Sequence, residues 1–297
     1  DIVSGESRPK ICMKLIIVSG RSGSGKSTVL RTLEDAGYHC VDNLPVGLLQ
    51  DLVQRYANLG HGEVSKIAVC IDARSPGLEQ FPELLLQLRE TGIDAHVLYL
   101  DALSPTLVKR FSETRRRHPL TDQNIDLREA IDMEASILST VADLANLTID
   151  TTRISGKSLS EQIVHRVIEN GGTSVSLLFR SFGFKHGIPV DTDFVFDLRC
   201  LPNPHWQPAL RPLTGRHEEV VVYLRSQALV NDMFPDIADY LQKWIPRFAD
   251  NDRVYLTVGI GCTGGQHRSV YMAERLGQHF DSQLNQVLVR HRELDKT

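Results

Sequence analysis

The sequence has few cysteines, no surplus of positive charge and no long apolar run. Its five cysteines are odd in number and scattered over 297 residues, with no pair at zinc-ligand spacing, so neither a disulfide framework nor a zinc site is expected. The net charge of −4 gives no overall basic signal for nucleic acid. No apolar stretch approaches the roughly 20 residues that a bilayer span needs. A cytoplasmic protein that does not enter a membrane is therefore expected.

The length predicts two domains, since one domain typically takes about 100–200 residues. Residues 1–12 are polar and precede Met13, and we interpret them as an extension or an expression remnant. Residues 171–174 read GGTS and follow a predicted helix, which makes them the best candidate for a flexible boundary. The domains are accordingly predicted at residues 13–170 and 171–297.

The clearest motif is GRSGSGKS, which fits the phosphate-binding pattern G-x-x-x-x-G-K-[ST] in every fixed position. It lies between an apolar run at residues 15–18 and a helical pattern at residues 28–34. Glycines let consecutive N–H groups point at one anion, and the helix N-terminus adds partial positive charge. We expect Lys26 to reach the β- and γ-phosphates of ATP and the Ser27 hydroxyl to bind Mg²⁺. The predicted ATP contacts are Gly20, Arg21, Ser22, Gly23, Ser24, Gly25, Lys26 and Ser27.

Two aspartates are candidates for the carboxylate that supports Mg²⁺. Apolar runs at residues 66–71 and 96–100 end in Asp72 and Asp101, respectively. We prefer Asp72, because Arg74 beside it offers a cation for a phosphate or a base. The alternative for each aspartate is a cap on the following helix. Lys26, Ser27 and Asp72 are thus the predicted catalytic residues, with Ser27 and Asp72 holding the metal.

A basic segment follows the second aspartate. A helix predicted to start at Ser104 and Pro105 leads into residues 109–117, which read KRFSETRRR. Arginines in this place of P-loop kinases form a lid that neutralises the transferring phosphates. The predicted lid residues are Arg115, Arg116 and Arg117; the competing interpretation is a solvated helix face.

Apolar runs alternate with helical patterns along the first half, which predicts a doubly wound parallel sheet with ligands at the carboxyl ends of its strands. The predicted fold class is α/β, with a P-loop NTPase or kinase-like sheet domain followed by a second, smaller α/β domain. Within it, residues 126–145 are predicted as one helix, and Ser158 with Glu161 as the capping box of the next.

A second strand, glycine loop and helix occupy residues 255–280. Cys262 and Arg268 have the C-x5-R-[ST] spacing of cysteine phosphatases, in which backbone N–H groups, a helix N-terminus and a guanidinium surround a phosphate. Anion binding is the favoured interpretation. The alternatives are a tight turn with a buried cysteine and a phosphatase with Cys262 as nucleophile.

The chain resembles the RapZ/YvcJ family of bacterial P-loop nucleotide-binding proteins. The resemblance is carried by IVSGRSGSGKS, CVDNLP, IDARS, SETRRRHPL, SFGFKHGIP, DLRCLPNPHW, LRPLTG and GCTGGQHRSVYMAE, which run from the first strand nearly to the C-terminus.

The resemblance implies binding and slow hydrolysis of ATP and GTP, together with regulatory ligands in the second half. It implies GTP binding at Asp72, Ala73, Arg74 and Ser75, sensing of glucosamine-6-phosphate, and recruitment of small RNA and an endoribonuclease. The implied phosphosugar or anion contacts are His205, Arg211, Cys262, Thr263, Gly264, Gly265, His267 and Arg268. The candidate RNA contacts are Arg290, His291, Arg292 and Lys296, although two acids interrupt the bases of this tail.

Three functions follow as hypotheses. The first is a nucleotide-binding regulator with weak ATPase and GTPase activity, which we expect to form homo-oligomers. The second is a small-molecule or nucleotide kinase in which Asp42 or Asp101 activates the acceptor. The third is an RNA adapter whose output is partner recruitment.

Overall fold

The computed structural model describes residues 13–59, 66–114, 117–121, 125–169, 175–250 and 253–294. The chain divides between Ile163 and Val164 into two compact units. The boundary predicted from the sequence, residues 171–174, lies outside the described residues, as does the N-terminal segment 1–12.

The first unit contains a five-stranded parallel sheet in the order β2-β3-β1-β4-β5. The central strand, β1, is buried along its whole length, which explains why its sequence is apolar rather than alternating. The sheet confirms the predicted α/β class with a parallel sheet. Its strands are β1 (Lys14–Gly20), β2 (His39–Val41), β3 (Lys66–Cys70), β4 (Asp94–Asp101) and β5 (Leu147–Asp150).

Seven helices of the described residues surround this sheet. The predicted helix at 126–145 is split at Leu138, and a capping box formed by Asp126 and Glu129 starts its first part. The predicted capping box at Ser158 is wrong, because the helix begins at Gly156 and the Ser158 N–H donates to the Ser155 hydroxyl. The helices are α1 (Lys26–Asp35), α2 (Leu49–Leu59), α3 (Phe81–Glu90), α4 (Ser104–Thr114), α5 (Leu127–Ile137), α6 (Ser139–Asp143) and α7 (Gly156–Ile163).

The second unit begins with a π-helical turn, Val164–Ile168, and contains a four-stranded parallel sheet in the order β7-β8-β6-β9. Its helices pack apolar residues against the sheet in a core of their own. The longest, α9, continues through Pro235 and Pro246. The elements are β6 (Ser176–Gly183), β7 (Phe194–Asp197), α8 (Glu218–Arg225), α9 (Ala228–Ala249), β8 (Tyr255–Cys262), α10 (Arg268–Asp281) and β9 (Gln286–His291).

None of the helices in the described part of the chain is both long and apolar enough to cross a membrane.

Candidate functional site

The glycine loop between β1 and α1 has a backbone that only glycine tolerates at its two ends. Gly20 has φ +141°, and a Cβ there would collide with the carbonyl oxygen of Leu100. Gly25 has φ 109° and caps α1. The ammonium group of Lys26 donates to the Gly20 carbonyl at 2.5 Å, so the lysine lies back across the loop.

The N–H groups of the loop fall into two sets. Those of Ser22 and Ser24 are already hydrogen-bonded, to Glu134 and to the Arg21 carbonyl. Among the described residues, nothing accepts from the remaining ones, which include the first turn of α1. This second set is Gly23, Gly25, Lys26 and Ser27.

A cleft of about 540 Å³ opens in front of the loop, a volume in the range of small-molecule sites. It lies at the carboxyl ends of the strands, as the fold class predicts. Its lining residues are Ser22, Gly23, Gly25, Lys26, Ser27, Thr28, Asp42, Asn43, Cys70, Asp72, Arg74, Arg110, Phe111, Thr114, Arg117 and Pro119.

Arg21 is not a lining residue of the cleft. Its placement corrects two predictions: that Arg21 contacts ATP, and that the Asp101 carboxylate is available to support Mg²⁺ or to activate an acceptor. Its Nε donates to Asp101 at 2.6 Å, and its other nitrogens donate to the Ser104 hydroxyl and the Ala102 carbonyl. Arg21 is 7% exposed. It therefore fastens the loop to the end of β4 instead of facing a phosphate, and it occupies the carboxylate of Asp101.

Asp72 and Arg74 face the cleft as predicted but bind each other. Asp72 Oδ2 accepts from Arg74 Nε at 3.0 Å and from its terminal nitrogen at 2.5 Å. Ser75 turns away, because its hydroxyl accepts from the Val46 N–H. Ala73 packs against the core of the first unit. Only half of the predicted GTP stretch thus lines the cleft.

Cys70 and Asp42 lie beside this pair. Burial raises the pKa of the Cys70 thiol to about 12, and the neighbouring Asp42 carboxylate adds to the shift. The thiol stays protonated, which suits a lining residue rather than a nucleophile.

The predicted lid is only partly described. Arg115 and Arg116 lie outside the described residues, while Arg117 lines the cleft. Sequence reasoning missed Arg110, which donates to the Gly23 carbonyl at 2.9 Å and to Thr151. Burial lowers the pKa of its guanidinium from its usual value. The sequence shows that Arg110 is a basic residue in the C-terminal half of α4, but it does not show that the side chain contacts Gly23.

Glu134 is the second residue that sequence reasoning missed. It lies on α5, is 1% exposed, and accepts from both the N–H and the hydroxyl of Ser22. His118 contacts the same carboxylate at 3.1 Å. No local motif marks Glu134, because Ser22 lies 112 positions away in the chain.

The residues present fit a magnesium nucleotide. The Ser24 hydroxyl is buried and has no hydrogen-bond partner in the described structure, and it sits inside the loop that would surround a phosphate. The uncommitted N–H groups, Lys26 and the exposed Ser27 face one cleft. Asp72 offers a carboxylate in the same cleft, although Arg74 already binds it.

The second glycine loop lies in the second unit between β8 and α10. The buried Cys262 sulfur accepts from the Gly265 N–H at 3.2 Å and contacts the Ser269 hydroxyl at 3.1 Å. Cys262 is only 3% exposed, and this burial favours the buried-cysteine interpretation over a nucleophile that must meet a substrate. Gly264 is half-buried, and Thr263 is exposed.

Arg268 does not reach outward as a clamp. It is 4% exposed and donates to the carbonyl oxygens of Arg199 and Leu201, at 3.0 and 2.8 Å. A further nitrogen donates to Thr263 Oγ1 at 3.3 Å. Its Nε is buried and has no partner among the described residues. The arginine therefore supports the 199–201 loop and keeps one donor uncommitted.

The structure brings the other predicted anion residues to the same place. The His205 and His267 rings lie 6.3 Å apart, and Arg211 Nε donates to the His205 carbonyl. His267 donates to the Leu210 carbonyl, and burial lowers the pKa of its ring, so it is neutral at pH 7. His205 and Arg211 are exposed beside the loop.

The tail corrects part of the predicted RNA set. His291 is completely buried, between the Ser181 hydroxyl at 2.8 Å and Glu274 at 2.9 Å. Arg292 donates to Glu293 and to the carbonyls of Gly183 and Gly187. Neither side chain is presented to a nucleic acid. Arg290 is half-buried, and Lys296 lies outside the described residues.

Comparison with known families places both units. Residues 13–171 match the RapZ-like N-terminal domain, and residues 175–295 match the RapZ C-terminal domain. The chain belongs to the RapZ family. RapZ-family relatives include proteins named nucleotide-binding protein from Ectopseudomonas mendocina and Hahella chejuensis, which are 53% and 50% identical over 284 residues. Each alignment covers 95% of this chain and 99–100% of the relative.

Solved structures resemble the chain only distantly. A sugar kinase from Janibacter is 19% identical, with a TM-score of 0.35 over 51% of this chain and 92% of the kinase. A shikimate kinase from Bacteroides thetaiotaomicron is 16% identical, with a TM-score of 0.34 over 50% of this chain and 96% of that enzyme. Likenesses at this distance support no conclusion about the activity of this RapZ-family protein.

Proposed function

We propose that this RapZ-family protein is a nucleotide-binding regulator that holds ATP in the cleft of its first unit and hydrolyses it slowly. The observation that carries the proposal is that the N–H groups of Gly23, Gly25, Lys26 and Ser27 have no acceptor among the described residues and lie at one cleft with the Lys26 side chain. Such a set recognises a polyphosphate without base-specific contacts. The relatives named nucleotide-binding protein support the same conclusion.

The residues of the cleft have separable roles in this proposal. The ammonium group of Lys26 leaves the Gly20 carbonyl and binds the β- and γ-phosphates, and Arg110 and Arg117 add positive charge to the same cleft. Ser27 and Asp72 hold Mg²⁺, which when bound neutralises phosphate charge. Arg74 already engages Asp72 and competes with the metal for that carboxylate, which favours slow hydrolysis. GTP binding through Asp72 and Arg74 is proposed on the family resemblance.

A calorimetric titration of the full chain with Mg·ATP and Mg·GTP tests the proposal. Lys26→Ala should weaken binding at least about tenfold, because it removes a charged contact to phosphate. Lys109→Ala is the matched control, since Lys109 is exposed on α4 and its ion pair, with Glu113 at 3.7 Å, is also exposed. Equal affinity of wild type and Lys26→Ala, or no heat from a folded wild type, contradicts the proposal.

A second proposal concerns a phosphosugar at the loop between β8 and α10. The buried, unpartnered Nε of Arg268 and the exposed Thr263 favour an anionic ligand there. Arg268→Ala is a poor test, because it also releases the 199–201 loop. We therefore choose Thr263→Val, with Ser226→Ala as the control for a lost surface hydroxyl. Glucosamine-6-phosphate should bind the wild type more tightly than glucosamine or phosphate alone, and Thr263→Val should weaken it.

Recruitment of small RNA and an endoribonuclease is proposed on the family resemblance. The described tail leaves Arg290 as its candidate phosphate contact. Arg290→Ala should reduce RNA retention in a filter-binding assay and flatten its salt dependence. Unchanged retention would move RNA binding away from this strand.

In the alternative in which the protein is a kinase, Asp42 is the remaining candidate for the residue that activates the acceptor. Asp101 is held by Arg21, whereas Asp42 lines the cleft. Phosphoryl transfer from ATP to an added hydroxyl compound, lost in Asp42→Asn at unchanged ATP affinity, would favour a kinase over a regulator.

A further inference from the structure

We infer that Glu134 is a positioning residue for the phosphate loop, which sets the loop in its binding conformation without contacting the ligand. This role rests on the proposed nucleotide binding of the cleft. It concerns a residue that lies on α5 and outside the cleft lining.

The contact between Glu134 and the loop uses both carboxylate oxygens. Oε2 accepts from the Ser22 N–H at 2.8 Å, and Oε1 accepts from the Ser22 hydroxyl at 2.7 Å. A carboxylate with 1% exposure costs several kcal/mol to bury unless donors surround it, so these bonds are not incidental. Ser22 is thereby fixed in both its backbone and its side chain.

A third donor completes the environment of the carboxylate. The His118 side chain is 0% exposed, and its Nε2 lies 3.1 Å from Glu134 Oε2. Its Nδ1 accepts from the Leu120 N–H, which leaves the proton on Nε2, pointing at the carboxylate. The Phe111 ring packs against His118 in a tilted arrangement, with the ring centroids 5.0 Å apart, and borders Gly23. Ser22 and His118 therefore hold the Glu134 carboxylate in one orientation.

The contact with Glu134 determines which N–H groups of the loop face the cleft and can bind a phosphate. Glu134 accepts from the Ser22 N–H, which then cannot serve a phosphate, and it fixes the Arg21–Ser22 peptide, which lies one residue before Gly23. Arg110 holds the Gly23 carbonyl on the other side of that residue. The two contacts together set the orientation in which Gly23, Gly25, Lys26 and Ser27 face the cleft. Ser22, predicted as an ATP contact, acts in this account through its bond to Glu134.

The charge of Glu134 and its hydrogen bonds to Ser22 act on nucleotide binding in opposite directions. A buried carboxylate near the loop repels a polyphosphate, so its charge opposes the ligand while its hydrogen bonds support the loop. Glutamine removes the charge but still accepts from the Ser22 N–H and donates to the hydroxyl. Alanine removes both effects. Relative to wild type, Glu134→Ala should therefore weaken Mg·ATP binding, whereas Glu134→Gln should leave it nearly unchanged or strengthen it.

The test measures Mg·ATP affinity and the exchange rate of the Ser22 amide hydrogen in the full chain. Glu134→Ala should weaken Mg·ATP by about 10- to 100-fold, since hydrogen bonds to a charged group are lost. Glu134→Gln should restore affinity to within about threefold of wild type or better. In the absence of nucleotide, amide exchange at Ser22 should accelerate in Glu134→Ala and stay slow in Glu134→Gln. Glu113→Gln, an exposed carboxylate of α4, is the charge control.

The results of these measurements distinguish a failure of the proposed nucleotide binding from a failure of positioning by Glu134. If wild type itself binds no Mg·ATP, the proposed function fails, while the exchange data still show whether Glu134 orders the loop. If folded Glu134→Ala binds Mg·ATP as wild type does, or if Glu134→Gln loses as much affinity as Glu134→Ala, positioning by Glu134 is wrong. Ser22→Ala, which loses the hydroxyl bond and keeps the N–H bond, covers the case in which Glu134→Ala does not fold. It should weaken Mg·ATP by less than about tenfold, and unchanged affinity would contradict positioning through Ser22.

Discussion

At the scale of single residues, Gly20 shows how a motif position is enforced by its neighbours. Its positive φ and the nearby Leu100 carbonyl both exclude a side chain. The strand end and the loop therefore meet where only a backbone fits. This constraint explains why the loop can turn immediately after β1 and why Arg21, the next residue, reaches Asp101.

Three glycine substitutions separate strain from collision. Gly47→Ala should be nearly neutral, because no atom lies within 4 Å of its Cβ position and its φ is ordinary. Gly37→Ala has open space but φ +83°, so we expect a loss of about 1 kcal/mol. Gly20→Ala combines strain with collision and should cost on the order of 2–5 kcal/mol of unfolding free energy. Chemical denaturation measures all three, and equal losses at Gly20 and Gly37 would contradict the collision argument.

The cysteines should differ sharply in reactivity. Cys200 is exposed, whereas Cys70 is buried in the cleft wall with a pKa raised to about 12. At pH 8 a thiol with that pKa carries on the order of a thousandfold less thiolate than an ordinary one. Iodoacetamide should therefore label Cys200 long before Cys70, as peptide mass spectrometry would show. Labelling of both at similar rates would mean that Cys70 is not held as described.

At the scale of elements, the apolar runs of the sequence predicted strands, but the sequence did not reveal the long-range contacts between residues. Buried parallel strands are apolar runs, and each run became a strand of the structure. The helix α8 was missed because its EEVVVYLR sequence is rich in β-branched residues, which packing against α9 and α10 overrides. The phosphate loop was visible as a motif, whereas its supports, Glu134 and Arg110, are set by tertiary contacts.

The tail strand illustrates the same limit. Its basic residues suggested a solvated or RNA-binding terminus, yet His291 and Arg292 point inward because β9 completes the second sheet. Glu293, which interrupts the bases, is buried and bonded to Arg292. The acid is thus part of the packing of this strand end, which a count of charges does not reveal.

The contact between β9 and α10 predicts a pH dependence. Burial alone would raise the pKa of Glu274, but hydrogen bonds from His291 and Arg216 outweigh it and lower the pKa below its usual 4.5. Ionised Glu274 therefore stabilises the fold above about pH 4.5, and this contribution is lost as the pH falls through the folded-state pKa. Between pH 6 and 3.5, the melting temperature of Glu274→Gln should fall less than that of wild type. Asp232→Asn, at an exposed position of α9, should follow the wild type; a parallel fall in all three proteins would remove Glu274 from the account.

At the scale of the whole molecule, each of the two units has a sheet and a core of its own. A unit with its own core unfolds as a cooperative block, and a ligand stabilises the block that binds it. The nucleotide cleft belongs to the first unit, and the loop around Cys262 belongs to the second.

Calorimetry should therefore resolve two unfolding transitions. Ile17→Ala in β1 and Leu256→Ala in β8 each remove a fully buried side chain, which costs about 2–5 kcal/mol. Each substitution should lower a different transition, and Mg·ATP should raise the one that Ile17→Ala lowers. A single transition shifted by both substitutions would show that the cores do not unfold separately.

The central claim is that the loop from Gly20 to Ser27 binds the phosphates of a magnesium nucleotide. A crystal structure of the full chain with Mg²⁺ and a non-hydrolysable ATP analogue tests it most directly. We predict phosphate oxygens within hydrogen-bond distance of the N–H groups of Gly23, Gly25, Lys26 and Ser27, with the Lys26 ammonium moved from the Gly20 carbonyl to the phosphates. A nucleotide whose phosphates lie elsewhere, or a loop without ligand at saturating concentration, would contradict the account.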